Sequence, residues 1–121
     1  AYDLCLKGKK PVIVEMAKDV ITSVGVCMAN SQMLRDLLRY YQVPIYLEST
    51  VKQLNDDSVV VGTKDGEITL AADNVIVSVG YNSNPLVAEN EKEHIHVVGD
   101  ASKVGNLKSV IWKAYELAYK L

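Results

Sequence analysis

The run Pro11-Val12-Ile13-Val14-Glu15-Met16 is short, β-branched and apolar on both faces, which predicts a strand covered on each side in a parallel sheet. Proline is admitted there because it opens the strand, where the ladder does not need its missing N–H. Just ahead, the stretch from Ala1 to Lys7 places Ala1, Leu4 and Cys5 at helical spacing, and Gly8 supplies the left-handed residue that closes a helix. Helix, tight turn and buried strand are two-thirds of a βαβ unit and point to an α/β fold. A helix with its stop signal at the eighth residue and no N-cap before it is expected to begin upstream of Ala1. The missing third is then a strand ahead of this helix.

The βα rhythm continues. Asn30-Ser31-Gln32 offers a cap for a second helix through Tyr41, with Met33, Leu34, Leu37, Leu38 and Tyr41 as one apolar stripe, and Val43 to Leu47 predicts a further short strand. From Thr50 the period changes to two. Val51, Leu54, Val59-Val60-Val61, Ile68 and Leu70 predict a small antiparallel meander with a tight hairpin at Asp65-Gly66. Val75 to Val79 predicts another buried strand, stopped by the turn formers of Gly80-Tyr81-Asn82-Ser83-Asn84-Pro85, the best boundary in the chain. Glu89 to Glu93 predicts a charged, exposed connection. Ile95 to Val98 predicts one more strand, ended by Gly99-Asp100. Asn106 caps a last helix in which Val110, Ile111, Ala114, Tyr115, Ala118 and Leu121 recur at spacings of three and four, with Trp112, Tyr115 and Tyr119 expected to pack on the sheet.

Composition limits the partners. At 121 residues the chain can bury one modest core, and 49% apolar with 23% charged residues is ordinary globular material. A formal charge of −2, with both signs interspersed, gives no field to attract nucleic acid or anionic lipid. No apolar stretch approaches the roughly 20 residues of a membrane span. Cys5 and Cys27, the only cysteines, form neither a C-x-x-C pair nor a disulfide framework, which fits a reducing cytoplasm.

Two places carry chemistry. Glu15 closes the strand after the opening helix. In dinucleotide-binding βαβ units an acid at that point accepts hydrogen bonds from the adenosine ribose hydroxyls and repels a 2′-phosphate, favouring NAD over NADP. The plainer reading is an acid merely solvated at a strand end. A glycine-rich loop belongs about 20 residues before such an acid, and with only residues 1–14 ahead of Glu15 it is expected upstream of Ala1. The second place is Gly99-Asp100. An aspartate at a strand end can accept from a polyol hydroxyl, glycine allows close backbone approach, and the next helix offers free N–H groups and its positive end. Gly-Asp is also common in plain turns.

Other residues offer less. His94 and His96 would share one side of a strand, yet no further histidine or paired cysteine completes a metal set. Ser78, Ser83 and Ser102 have no histidine–carboxylate partners at a recognisable spacing. Lys9, Lys10 and Lys103 could touch a phosphate or simply be solvated.

Taken in order, DLCLKGKKPVIVEM, VVVGTKDGEITLAADNVIVSVGYNSNP and HIHVVGDASKVGNLKSVIWKAYELA resemble the C-terminal nucleotide-binding region of bacterial 2-enoate reductases and 2,4-dienoyl-CoA reductases. These belong to the larger group with FAD/NAD(P)-binding, disulfide-reductase-like folds. The resemblance implies a Rossmann-like fold, a parallel sheet with a small antiparallel meander, lacking its first strand and glycine loop. It implies residues 1–80 as the remainder of an NAD(P)-binding domain, 81–94 as a crossover, and 95–121 as the closing segment of an FAD-binding domain. Glu15 would then select NADH, Gly80 would lie at the crossover, and Gly99, Asp100 and Asn106 would border the flavin, with Asp100 at the ribityl chain.

The parent enzyme so implied also carries FMN on a barrel and an iron–sulfur cluster, neither with a counterpart here. In it, hydride would pass from NADH to FAD and electrons onward through the cluster and FMN to an activated C=C bond. The isolated chain is not expected to turn over. Two other functions stay open: a non-catalytic dinucleotide-binding or interaction module, and a piece of a disulfide-reductase-like flavoprotein whose redox cysteines lie elsewhere. A sheet lacking its first strand is further expected to self-associate through the exposed edge.

Overall fold

The computed structural model describes residues 1–22, 25–87 and 94–121 and divides the chain into two compact units, Ala1–Val75 and Ile76–Leu121. The first opens with helix α1, Tyr2–Leu6. It closes as expected on Gly8, whose φ of +70° lets its N–H reach the Cys5 carbonyl at 2.9 Å while the Lys9 N–H reaches Leu4 at 2.9 Å. These are the paired bonds of a Schellman motif, and they turn the chain into strand β1 at Ile13–Val14.

Strand β1 pairs in parallel with β2, Ile45–Tyr46, with Ile13 opposite Ile45 and Val14 opposite Tyr46. Helix α2, Met28–Tyr40, makes the crossover between them. The βαβ unit is therefore present, although both strands are shorter than their apolar runs. Strand β1 is also not covered on both faces: Val12 and Met16 are exposed and Ile13 and Val14 half-buried.

The start of α2 differs from expectation. Its N-cap is Cys27, with no side-chain capping bond, and Asn30 and Ser31 lie inside the first turn. The buried face is Ser31 and Leu38, with Leu34, Arg35 and Leu37 half-buried; Met33 and Tyr41 point outward, and Tyr41 packs its ring on Tyr2 at 5.9 Å.

The meander is present in the expected order. Strands β3 (Thr50–Leu54), β4 (Ser58–Thr63) and β5 (Gly66–Ala71) form an antiparallel sheet with β4 in the middle. Val59 lies opposite Leu70 and Val61 opposite Ile68, so one face of the period-two pattern is apolar, and Val61 is fully buried. The hairpin turns at Lys64-Asp65, with Gly66 at φ +125° opening β5.

From Val75 onward two expected strands do not form. Val75–Val79 and Ile95–Val98 are not strands, and Ile76 at 75% and Val79 at 90% exposure are solvated. A strand exists only where a neighbour takes its N–H and C=O groups, and among the described residues none pairs with either segment. The charged connection expected over 89–93 lies outside the described residues. What organises the second unit is a 3₁₀ turn at Gly99–Ala101 against helix α3, Leu107–Lys120. The half-buried face of α3 is Ser109, Val110, Lys113 and Leu117, whereas Ile111, Tyr115 and Leu121 of the expected stripe are exposed. Trp112, Tyr115 and Tyr119 pack on one another, at 5.9 and 6.5 Å between ring centres.

Candidate functional site

Glu15 stands where the sequence places it, at the carboxyl end of β1. Its N–H bonds the Tyr46 carbonyl at 2.9 Å and its own carbonyl accepts the Ser49 N–H at 3.0 Å, so the backbone is held on the β2 side. Its side chain is half-buried. One carboxylate oxygen, Oε1, accepts the Ala17 N–H at 2.7 Å, and the other has no hydrogen-bond partner among the described residues. A carboxylate fixed by one oxygen and open at the other can receive a vicinal diol, the chemistry expected of an adenosine ribose. The residues present fit that group.

The segment after Glu15 is held at successive points. The Glu48 N–H donates to the Ala17 carbonyl at 3.0 Å. Arg35, on α2, presents a fork to the Asp19 carboxylate, with Nη2 to Oδ2 at 2.7 Å and Nε to Oδ2 at 3.0 Å, and Nη2 also reaches the Ile21 carbonyl at 3.0 Å. This bond holds the Asp19 carboxyl below the usual carboxylate range, its modest desolvation being outweighed. Asp19, Arg35 and Glu48 carry no motif and were not legible as site residues. The available sign was Arg35 itself: a charge at the spacing of Ser31 and Leu38, on a buried face, requires a partner.

In the second unit the expected flavin-side residues gather around the start of α3. Gly99 is buried at φ +65°, and a Cβ there would lie 3.4 Å from Val110 Cγ1. Asp100 is exposed, and its Oδ1 accepts the Gly105 N–H at 3.1 Å. Asn106 caps α3 as expected: its Oδ1 accepts the Ser109 N–H at 2.9 Å, and Ser109 Oγ accepts the Asn106 N–H at 3.0 Å. This capping box occupies the Asn106 side-chain oxygen, so what remains toward a ligand is the N–H of Leu107 and Lys108, unpaired among the described residues.

Gly80, at φ +86° in open space, is not drawn into that turn directly, although Ser83 Oγ, three residues on, accepts the Val104 N–H at 3.3 Å. The other Asp100 oxygen, Oδ2, has no hydrogen-bond partner among the described residues and suits a polyol hydroxyl. His94 and His96 are exposed, and among the described residues no group of three or more His, Cys, Asp or Glu side chains could hold a metal ion.

Comparison with known proteins bears on this arrangement. A cinnamate reductase of Clostridium sporogenes is 34% identical over 93% of the chain, and a metal reductase of Desulforamulus reducens is 34% identical over 98% of it. The chain is similar to one segment of each of these reductases, which fits its reading as part of a larger reductase. It spans 17% and 18% of the length of these two relatives, both of them reductases. No family model matches the sequence. The fold is shared with a solved 2-naphthoyl-CoA reductase, at a TM-score of 0.77 and 24% identity, over 98% of this chain and 18% of that one. That breadth agrees with the Rossmann-like α/β class read from the sequence. Among the described residues no helix is long and apolar enough to cross a membrane.

Proposed function

We propose that the chain is the nucleotide-holding part of an NADH-dependent flavin oxidoreductase that reduces an activated carbon–carbon double bond. The observation that carries this reading is the Glu15 carboxylate, fixed at a parallel strand end by Ala17 with one oxygen left open. Identity to two reductases over nearly the whole chain supports it.

Each residue has a role in this reading. Glu15 holds the adenosine ribose of NADH, and its charge disfavours a 2′-phosphate. Asp100 accepts from a ribityl hydroxyl of FAD, Gly99 lets the backbone pass close to it, Asn106 keeps the α3 terminus formed, and Gly80 turns the chain at the crossover. Residues 1–80 belong to the nicotinamide-nucleotide domain, 81–94 to the crossover and 95–121 to the flavin domain; the division into compact units at Val75 and Ile76 favours a boundary in this region. When bound, the nicotinamide and flavin supply the hydride and electron chemistry, and the protein supplies position. The remaining length, with FMN and an iron–sulfur cluster, belongs to the rest of a cytoplasmic parent enzyme, which is this chain's principal partner.

Calorimetric titration tests the proposal. NADH, NADPH and FAD are titrated into the 121-residue chain and into a form extended upstream by about 40 residues, roughly one βαβ unit. Little binding to the short form and NADH-selective binding to the long one are expected. Glu15→Gln in the long form is expected to weaken NADH about tenfold, an estimate for losing one charge-assisted hydrogen-bonding group, and to narrow its advantage over NADPH. An unchanged preference would remove Glu15 from the site.

A further inference from the structure

We infer that Arg35 is a positioning residue for the Glu15 carboxylate, acting through the backbone of residues 17–21 that its guanidinium holds in place. The inference rests on the dinucleotide reading of Glu15 and deepens it, by naming what sets the geometry of that site.

Glu15 itself is placed by β1, but its carboxylate is oriented by the Ala17 N–H at 2.7 Å, two residues beyond the strand. The orientation of the ribose acceptor is therefore only as good as the position of Ala17. Segments after a strand end run over the surface and are mobile unless tied down. Here the ties are specific. The Ala17 carbonyl accepts from Glu48, a residue at φ +49° whose carboxylate pairs with Lys64 of the β4–β5 hairpin. A left-handed glutamate persists where its neighbours over-determine it, and the bond to Ala17 is one of those neighbours.

From the other side, Arg35 makes a fork to Asp19, with Nε shared between both carboxylate oxygens, and a further bond to the Ile21 carbonyl, while Asp19 Oδ1 also accepts the Val20 N–H at 2.8 Å. Residues 19–21 are thereby closed into a small ring against α2. Arg35 lies 14 and 16 residues from the groups it binds, so local chain geometry does not hold them there without it. Its side chain is 25% exposed, deep enough for a fixed rotamer.

The chemistry calls for arginine and not lysine. Four bonds to two different groups need a planar fork with donors at fixed angles, whereas an ammonium offers a point charge on a flexible stem. Arg39 does not substitute, since it is exposed and paired with Asp36 at 2.9 Å. A binding group held by a second layer of bonds loses affinity when that layer is removed, typically by about tenfold or more in comparable supported sites.

The test uses the full-length enzyme that contains this chain. Steady-state KM and kcat for NADH and NADPH and the thermal midpoint are measured for wild type, Arg35→Met, Arg35→Lys, Asp19→Asn and Glu15→Gln. Arg35→Met and Asp19→Asn are expected to raise KM for NADH roughly tenfold with kcat within about twofold, and to narrow the preference over NADPH as Glu15→Gln does. Arg35→Lys is expected to recover only part of the loss.

If Glu15→Gln shifts the preference but Arg35→Met and Asp19→Asn leave KM at the wild-type value, the positioning role is overturned and the dinucleotide reading stands. If both variants lower only the thermal midpoint and kcat, Arg35 is a structural pair alone and the inference fails. If Glu15→Gln has no effect on either nucleotide, the parent reading fails and takes this one with it.

Discussion

Gly99 combines two demands that glycine alone meets. Its φ of +65° is costly for any side chain, and a Cβ would press on Val110 Cγ1 at 3.4 Å, in the contact that joins the 3₁₀ turn to α3. Gly99→Ala is expected to destabilise the second unit by roughly 1–2 kcal/mol. Trp112, the one tryptophan, lies on α3 and reports this by fluorescence during chemical unfolding. Gly80→Ala, at φ +86° with open space around it, carries the backbone penalty without the contact and should cost less. Equal losses would mean that the Val110 contact is of no consequence.

A second residue-scale consequence concerns pH. The Arg35 hydrogen bond lowers the Asp19 pKa in the folded state. A depressed carboxylate contributes stability that is present above its unfolded value and is lost as pH falls through its folded value. Wild type should therefore lose more stability than Asp19→Asn on acidification from neutral into the acidic carboxylate range, read as the thermal midpoint by circular dichroism. Parallel curves for the two proteins would show the ion pair to be energetically silent. Arg35 is raised by the same bond, so its own contribution persists throughout this range and only Asp19 titrates.

At the scale of elements, the legible features are those whose cause is local. Gly8 ends α1, Asp65-Gly66 marks the hairpin, and Asn106 caps α3, because each depends on a φ preference or a side-chain oxygen within a few residues. The capping box gives a direct check. Asn106→Ala removes the acceptor for the Ser109 N–H and is expected to cost about 1 kcal/mol, whereas Asn106→Ser should retain most of it. Loss of the same helicity in both, by circular dichroism, would assign the helix start to something other than the cap.

The elements that sequence reading misplaced depend on neighbours. The β-branched runs Val75–Val79 and Ile95–Val98 have strand composition, but a ladder is made between chains of residues and not within one, and no described strand lies alongside. Asn30 has the capping propensity, but α2 begins at Met28 with Cys27 as its N-cap, and Asn30 lies inside the first turn. The same division holds for the site. Glu15 is read from its place at a strand end, which the structure keeps, and Asp100 from the end of a strand at Ile95–Val98, which does not form, ahead of a helix, which does. Arg35 and Glu48 were not, because their bonds to Asp19, Ile21 and Ala17 span 14 to 31 residues and leave no periodic trace.

At the scale of the molecule, the decisive property is how much strand-like and aromatic surface the two units leave uncovered. In β1 the Ile13 and Glu15 N–H groups are taken by β2, at the Pro44 and Tyr46 carbonyls, so the Val14 backbone faces the opposite edge. No described strand pairs there, and Val12, at 44% exposure, presents an apolar side chain beside it. Such an edge is a template for a further strand. On the proposed reading a strand from the longer protein would occupy it; for the 121-residue chain by itself, the strand of a second copy can.

Light scattering across a concentration series is therefore expected to give a mass that rises above that of one chain. Val12→Lys places a charge at the edge without touching a β1–β2 hydrogen bond, and should return the mass toward a single chain. The exposed face of α3 offers the competing explanation, since Ile111, Tyr115 and Tyr119 are also solvated. Tyr115→Lys separates the two. If it abolishes association while Val12→Lys leaves it unchanged, the contact is helical and the β1 edge is silent. If the upstream-extended form is monomeric with wild-type Val12, the edge is filled from within the same chain, as the nucleotide-binding reading requires.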